Sequence, residues 1–140
     1  MDLRLQFDTS DIDWERVAGI LKEVGMAYHP SALHQLAFEN SYVVVFAFRE
    51  TEMIGFGRAI SDGAYQAALY DIAVLPRYHR LGVGRLIVEN IVSRCPGCNL
   101  MLYAAPGKDK FYEKFSFRRM LTGMALFTNA AKMRERGFTE

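Results

Sequence analysis

The apolar residues of this chain change their period once, at a glycine turn, and that change constrains the fold more than any other feature. Residues 42–48 are β-branched and aromatic, Glu50-Thr51-Glu52 reads as a turn, residues 53–60 return, and Asp62-Gly63 is a hairpin signal leading into residues 65–75. Pro76 stops that last run. After Gly82 the pattern is different: Val83, Leu86, Ile87, Asn90 and Ile91 recur at the spacing of an amphipathic helix, which Pro96-Gly97 closes. Residues 100–104 then read as another strand, and a strand, helix, strand run of this length forms a right-handed parallel crossover. The prediction is an α+β fold with a mixed sheet, antiparallel at first and parallel after one helical crossover. Such a sheet offers a ligand crevice at the C-terminal ends of its parallel strands.

Around this centre the shorter signals are readable in order. Leu3, Leu5 and Phe7 alternate with polar residues as an opening strand. Ser10 or Asp11 can cap a helix carrying Trp14, Val17, Ala18, Leu21 and Val24, which Gly25 ends. Pro30 suits the first position of a second helix with Leu33, Leu36 and Ala37 that finishes near Asn40 and Ser41. Beyond the crossover, Phe111, Tyr112 and Phe115 predict a short helix starting near Gly107, two strands are expected at 117–120 and 124–127, and a polar tail begins at Asn129. The 140 residues suit a single domain, 1–140.

Composition narrows the function classes. Lys and Arg total 17 against 16 Asp and Glu, so no uniformly basic face is expected to bind nucleic acid or an anionic membrane. No apolar run approaches the roughly 18 residues of a membrane span, and the first residues lack the pattern of a secretory signal, so a cytoplasmic protein is expected. Cys95 and Cys98 have C-x-x-C spacing, but a strand-like run follows them rather than a helix, and no second ligand pair accompanies them. A turn with two incidental thiols, and no metal, is the expectation.

The turn between strand and helix, Pro76-Arg77-Tyr78-His79-Arg80-Leu81-Gly82-Val83-Gly84-Arg85, carries the chemistry. Two glycines let a ligand approach the amides of the first helical turn, and Arg77, Arg80 and Arg85 add charge, as a pyrophosphate site requires. The same residues could equally be a tight turn with solvated arginines. A P-loop would need Lys and then Ser or Thr after Gly84, where Arg85-Leu86 stand. A dinucleotide fingerprint would need a third glycine where Ile87 stands. A diphosphate bound without magnesium chemistry is what coenzyme A presents.

Asp71-Ile72-Ala73-Val74, Pro76 and His79-Arg80-Leu81-Gly82-Val83-Gly84, followed about 25 residues later by Phe111-Tyr112-Glu113-Lys114-Phe115-Ser116-Phe117, resemble the two spaced motifs of the GNAT superfamily of acyl-CoA N-acyltransferases. His79 stands where the family has Gln or Arg, Ser116 where it has Gly, and Ala105 where many members place an Asn. The resemblance implies a GNAT-type sheet with helices on both faces, acetyl-CoA as the acyl donor, and direct transfer to a primary amine without a covalent enzyme intermediate. It implies that the backbone of Ile72, Ala73 and Val74 pairs with pantetheine. It likewise implies that residues 79–85 (His79, Arg80, Leu81, Gly82, Val83, Gly84, Arg85) hold the diphosphate, and that the Tyr112 hydroxyl reaches the sulfur as a general acid.

For the base that frees the amine, Asp71, Glu39, His29, His34 and Tyr70 are candidates, and Asp71 leads because it precedes the cofactor-binding segment. A carboxylate that only accepts internal hydrogen bonds is the alternative. Tyr28, His29, Phe38, Glu39 and Tyr65 are expected to wall the acceptor pocket. The expected acceptor is a small-molecule amine, amino sugars included, with peptide amines second; Arg58 is the further cation open to a substrate phosphate. A non-catalytic acyl-CoA sensor is the reading from another class, and a homodimer is a further implication of the resemblance.

Overall fold

The alternating stretch becomes three antiparallel strands in the computed structural model, which describes residues 2–140. They are β2 (Val43–Arg49), β3 (Glu52–Ser61) and β4 (Gln66–Val74). An opening strand, β1 (Leu3–Gln6), pairs antiparallel with β2, and β5 (Asn99–Met101) pairs parallel with β4, giving the sheet order β1-β2-β3-β4-β5. The crossover is α3 (Val83–Ser93), reached through a 3-10 turn at Pro76–Tyr78.

Alternation along β3 puts the helices on opposite faces, because successive side chains of a strand point opposite ways. Phe56 meets Phe46 across the β2–β3 ladder, and both rings pack with Phe38 of α2 (Ser31–Glu39) at centroid distances of 5.7 and 5.4 Å. Trp14 of α1 (Trp14–Glu23) joins them, 5.7 Å from Phe38. Phe38, Phe46 and Phe56 are fully buried, each contributing about 1.5–3 kcal/mol of apolar burial. Gly57 faces the other way, where an added Cβ would stand 2.5 Å from Ile72 Cδ1 and 3.0 Å from Ile87 Cγ2 of α3. Glycine at 57 lets α3 lie close on the sheet.

The helix cap is Asp13, whose carboxylate accepts the Arg16 N–H at 3.2 Å, rather than Ser10 or Asp11. Asp11 instead takes a left-handed φ of +55° in the preceding turn, so its side chain stands too early to reach the helix amides. Gly25, with φ +80°, follows the end of α1 as expected.

The chain forms two compact units, Met1–Leu102 and Tyr103–Glu140. In the second, α4 (Asp109–Glu113) is followed by ring contacts of Phe111 with Phe115 at 5.3 Å and of Tyr112 with Phe117 at 6.1 Å. The expected strands at 117–120 and 124–127 do not form. No backbone hydrogen bond is made by residues 118–128 to any described residue. The tail instead holds a short helix, α5 (Ala130–Glu135), capped by Asn129 onto the Lys132 N–H at 3.1 Å. No helix among the described residues is long and apolar enough to cross a membrane.

Candidate active site

Two backbone features of the first unit create unsatisfied hydrogen-bonding groups side by side in sequence. The first is the start of α3. Gly82 caps it in the left-handed region, φ +83°, a conformation that costs glycine nothing, and supplies no side-chain oxygen to the amides that follow. Leu86 is the first residue of the turn whose N–H closes on the helix, to Gly82 O at 3.0 Å. The N–H groups of Gly82, Val83 and Gly84 find no acceptor among the described residues. These amides carry the positive end of an eleven-residue helix.

The second feature is the end of β4. Its parallel pairing with β5 stops at Ala68↔Met101, so from Leu69 to Val74 the strand has no neighbour on that side among the described residues. On its other side, Ala73 and Val74 stay paired with Phe56 and Gly55. Between these pairs and Arg58↔Tyr70 lies a β-bulge in which Asp71 and Ile72 oppose the single residue Gly57. Asp71 adopts φ +57° there.

The bulge aims Asp71 at Arg58. Arg58 Nε donates to Asp71 Oδ2 at 2.7 Å, its Nη1 donates to Ser41 Oγ at 3.3 Å, and its guanidinium lies over the Tyr70 ring at 5.3 Å. Both charged side chains are mostly buried. Asp71 Oδ1 has no partner among the described residues. His34 is buried beside this pair, and its Nε2 accepts the backbone N–H of His29 at 2.8 Å. Burial pushes the His34 pKa below its ordinary value, against the opposing pull of Asp71, so the imidazole is neutral near pH 7.

In the second unit, Tyr112 is a perturbed group. Burial pushes its phenol up to about 12, and its hydroxyl donates to no described residue.

These features have counterparts in known proteins. Residues 11–117 match the model of the Acetyltransferase (GNAT) family. The chain belongs to that family. Serotonin N-acetyltransferase 2, chloroplastic, of Oryza sativa subsp. japonica is 31% identical over 118 residues, covering 77% of this chain and 59% of that protein. The N-acetyltransferase ycf52 of Porphyra purpurea is 23% identical, covering 79% and 67%. Among solved structures, SA2161 of meticillin-resistant Staphylococcus aureus superposes with a TM-score of 0.80 at 25% identity, covering 90% of this chain and 99% of that one. The GNAT-family protein xcc2953 of Xanthomonas campestris pv. campestris gives 0.81 at 23% identity, covering 91% and 94%. Against the first three curated relatives it matches, the chain spans 67%, 58% and 56% of their lengths.

The GNAT chain distributes its sequence-predicted site residues unevenly. Arg80 is without an ion-pair partner among the described residues, whereas Arg77 is held by Glu52 at 2.8 Å and Arg85 by Glu89 at 3.2 Å. Leu81 is exposed. The His79 Nε2 lies 2.7 Å from Val74 O and ties the turn to the end of β4.

Of the residues expected at the acceptor wall, Phe38 is 1% exposed and packs with Trp14, Phe46 and Phe56, while the Arg58 guanidinium lies over its ring at 5.6 Å. Tyr65 precedes the first residue of β4, six residues and roughly 20 Å along the strand from Asp71, so it does not join that cluster. Tyr28 is exposed beneath the Lys22 ammonium, and Glu39 accepts from Gln35 on the surface of α2. His29 does join the cluster, its ring 5.4 Å from that of His34. Arg58 is the residue whose role sequence reasoning missed. Its partner lies thirteen positions away across a bulge whose register the sequence pattern does not give. A shallow cavity of about 320 Å³ lined by Phe7, Tyr42, Val43, Val44 and Arg94 contains none of the predicted residues.

Proposed function

We propose that this GNAT chain is an acetyl-CoA-dependent N-acetyltransferase that acts on the primary amine of a small molecule, with residues 1–140 working as one catalytic domain. The observation that carries the reading is the coincidence of an unpaired β4 side beyond Ala68 with unsatisfied amides at 82–84, one turn further along the chain. The donor set fits coenzyme A: strand-like backbone suits the amides of pantetheine, and helix amides with Arg80 suit a diphosphate. When bound, acetyl-CoA would supply the acetyl group as a thioester.

The chain's own residues then have separable tasks. Ile72, Ala73 and Val74 position the donor through backbone groups, and residues 79–85 bind its phosphates. Asp71, steadied by Arg58, offers Oδ1 to the incoming amine, orienting it and receiving its proton directly or through water. Tyr112 holds its proton at every working pH. Since a thiol's ordinary pKa of about 8.5 lies far below that of this phenol, Tyr112 stabilises the departing sulfur chiefly as a hydrogen-bond donor.

The acceptor is read from chemistry at Arg58. Its guanidinium is engaged by Asp71 and Ser41, which leaves it poorly placed to bind a substrate phosphate. A neutral-bodied amine is favoured, in line with the name of the rice relative, a serotonin N-acetyltransferase. Cytoplasm is the compartment proposed, although that relative is named as chloroplastic.

The test is single-turnover transfer from acetyl-CoA across serotonin, glucosamine 6-phosphate and short peptides, read by free thiol and by product mass. Thiol release that requires a small amine is the expected outcome. Tyr112→Phe should slow the chemical step by about 10²–10⁴ with donor affinity intact, and Asp71→Asn should depress turnover likewise. Tight acetyl-CoA binding with no amine-dependent release from any acceptor would identify a sensor and overturn the proposal.

A further inference from the structure

Cys95 and Cys98 carry redox chemistry that acyl transfer leaves unused, and the fold holds them at the two ends of one turn. That turn, Cys95-Pro96-Gly97-Cys98, joins α3 to β5 and forms as the sequence leads one to expect. The Cys98 N–H donates to Cys95 O at 3.2 Å, Pro96 takes the second position and Gly97, with φ +76°, the third, which makes a type II β-turn. Such a turn brings its first and last Cα atoms within about 7 Å, against the roughly 4.4–6.8 Å of a disulfide. Both thiols are free.

Exposure separates the two sulfurs. Cys95 is 2% exposed, and burial pushes its thiol pKa up, with the neighbouring Cys98 sulfur adding to the rise. Cys98 is partly exposed, its Sγ 3.8 Å from Ser61 Oγ at the end of β3. The Ser61 hydroxyl already donates to Gln66 O at 2.8 Å, so the Cys98 thiol is the donor of that contact. No cluster of three or more His, Cys, Asp or Glu side chains that could hold a metal occurs among the described residues, so the donor set of a zinc site is incomplete. The pair also follows α3 instead of preceding a helix, and lacks the N-terminal field that activates the thiol of a disulfide-exchange catalyst. It is suited to being oxidised itself.

We infer that Cys95 and Cys98 form a reversible redox pair, closed into an intramolecular disulfide by low-molecular-weight disulfides of the glutathione type. The Cys98 thiolate attacks one sulfur of the oxidant, whose S–S bond breaks; one glutathione thiolate leaves and a mixed disulfide remains on Cys98. The Cys95 thiolate then attacks Cys98 Sγ, the mixed disulfide breaks, and the second glutathione leaves. The two protons lost by the cysteines pass to the departing thiolates, so two cysteines are oxidised and one disulfide is reduced to two thiols. Closure takes Cys98 from Ser61 and cross-links the end of α3 to the residue before β5. The inference does not depend on acyl transfer.

The test is incubation of the folded chain with oxidised glutathione at a pH of about 8.5, where an ordinary thiol is half ionised, followed by acid quench, alkylation and intact mass. The wild-type chain should lose two hydrogens, retain no glutathione and take up no alkylating agent, and dithiothreitol should restore both thiols. Cys95→Ala removes the resolving sulfur and should retain one glutathione on Cys98. Cys98→Ala should stay unmodified, because Cys95 is shielded. The wild-type result alone decides closure; the variants assign the order of attack. A wild-type chain that stops at the mixed disulfide overturns the inference, as do thiols that stay free until urea unfolds the chain. Glutathione retained equally by both variants, or a disulfide between two chains, overturns it as well.

Discussion

Residues 43–48 and the segments 117–120 and 124–127 are all rich in apolar side chains and all read as strand, yet the first is central in the sheet and the other two form no strand. Val43, Val44, Val45, Phe46, Ala47 and Phe48 are all buried; all of them pair with β3 on one side, and Phe46, Ala47 and Phe48 also pair with β1 on the other. Met120, Leu121, Met124 and Leu126 have comparable hydrophobicity and no ladder. A strand is therefore a property of a pair. Side-chain pattern makes a segment eligible, and partner edges decide whether it becomes one.

The largest test of this contrast is truncation in each segment. Phe46→Ala should cost about 3–5 kcal/mol, since it empties a site shared with Trp14, Phe38 and Phe56. Leu126→Ala, measured in dilute monomeric protein, should fall within about 0.5 kcal/mol of wild type. Urea melts of the two variants decide the matter. A large loss for Leu126→Ala under those conditions would show that residues 124–127 are already part of the chain's own core.

The same contrast explains what was legible in the sequence. Element order and the period switch at Gly82 could be read because each of those segments finds its partner within the same unit. The strands at 117–120 and 124–127 could not, because pairing is not written in the segment itself. Phe38 is expected at the pocket wall because the family resemblance puts the helix, loop, helix region there, and its burial against Phe46 and Phe56 depends on long-range packing that the local pattern does not carry. Asp71 could be singled out by its place before the cofactor segment. Its bond to Arg58 depends on a register shift opposite Gly57, which alternation alone does not reveal. The helix α5 was hidden by its polarity, although Asn129 before Ala-Ala-Lys-Met-Arg-Glu is a legible cap.

A glycine in each region sharpens the comparison at smaller cost. Gly57→Ala places a Cβ within 2.5 Å of Ile72 Cδ1 and 3.1 Å of Ile91 Cδ1, so α3 or the bulge must shift. Overpacking of this kind costs about 1–3 kcal/mol. It should also weaken acetyl-CoA binding, because the displaced residues carry the proposed pantetheine strand. Gly123→Ala meets only Met120, at 3.7 and 3.8 Å, and should leave both stability and binding unchanged. Calorimetry with acetyl-CoA on the two variants separates them; equal affinities would detach Gly57 packing from the site.

The smallest effect expected is a pH dependence confined to the first region. His34 is buried with its Nε2 accepting from His29 N–H, and the charged or titratable groups acting on it are Asp71, Arg58 and His29. Desolvation outweighs the attraction of Asp71, and the folded-state pKa lies below the ordinary 6.5. The unfolded chain therefore binds a proton at this position more readily than the folded one. Its contribution to stability is present above about pH 6.5 and is lost as pH falls from there through the folded-state value. Protonation would also convert Nε2 from acceptor to donor and break the bond to His29. His34→Gln keeps an acceptor oxygen at similar reach and removes the titration, so its melting temperature should fall less between pH 7 and pH 5 than that of wild type. Identical slopes would mean that the His34–His29 bond yields to water before the ring is protonated, and that the cluster around Asp71 is looser than its distances imply.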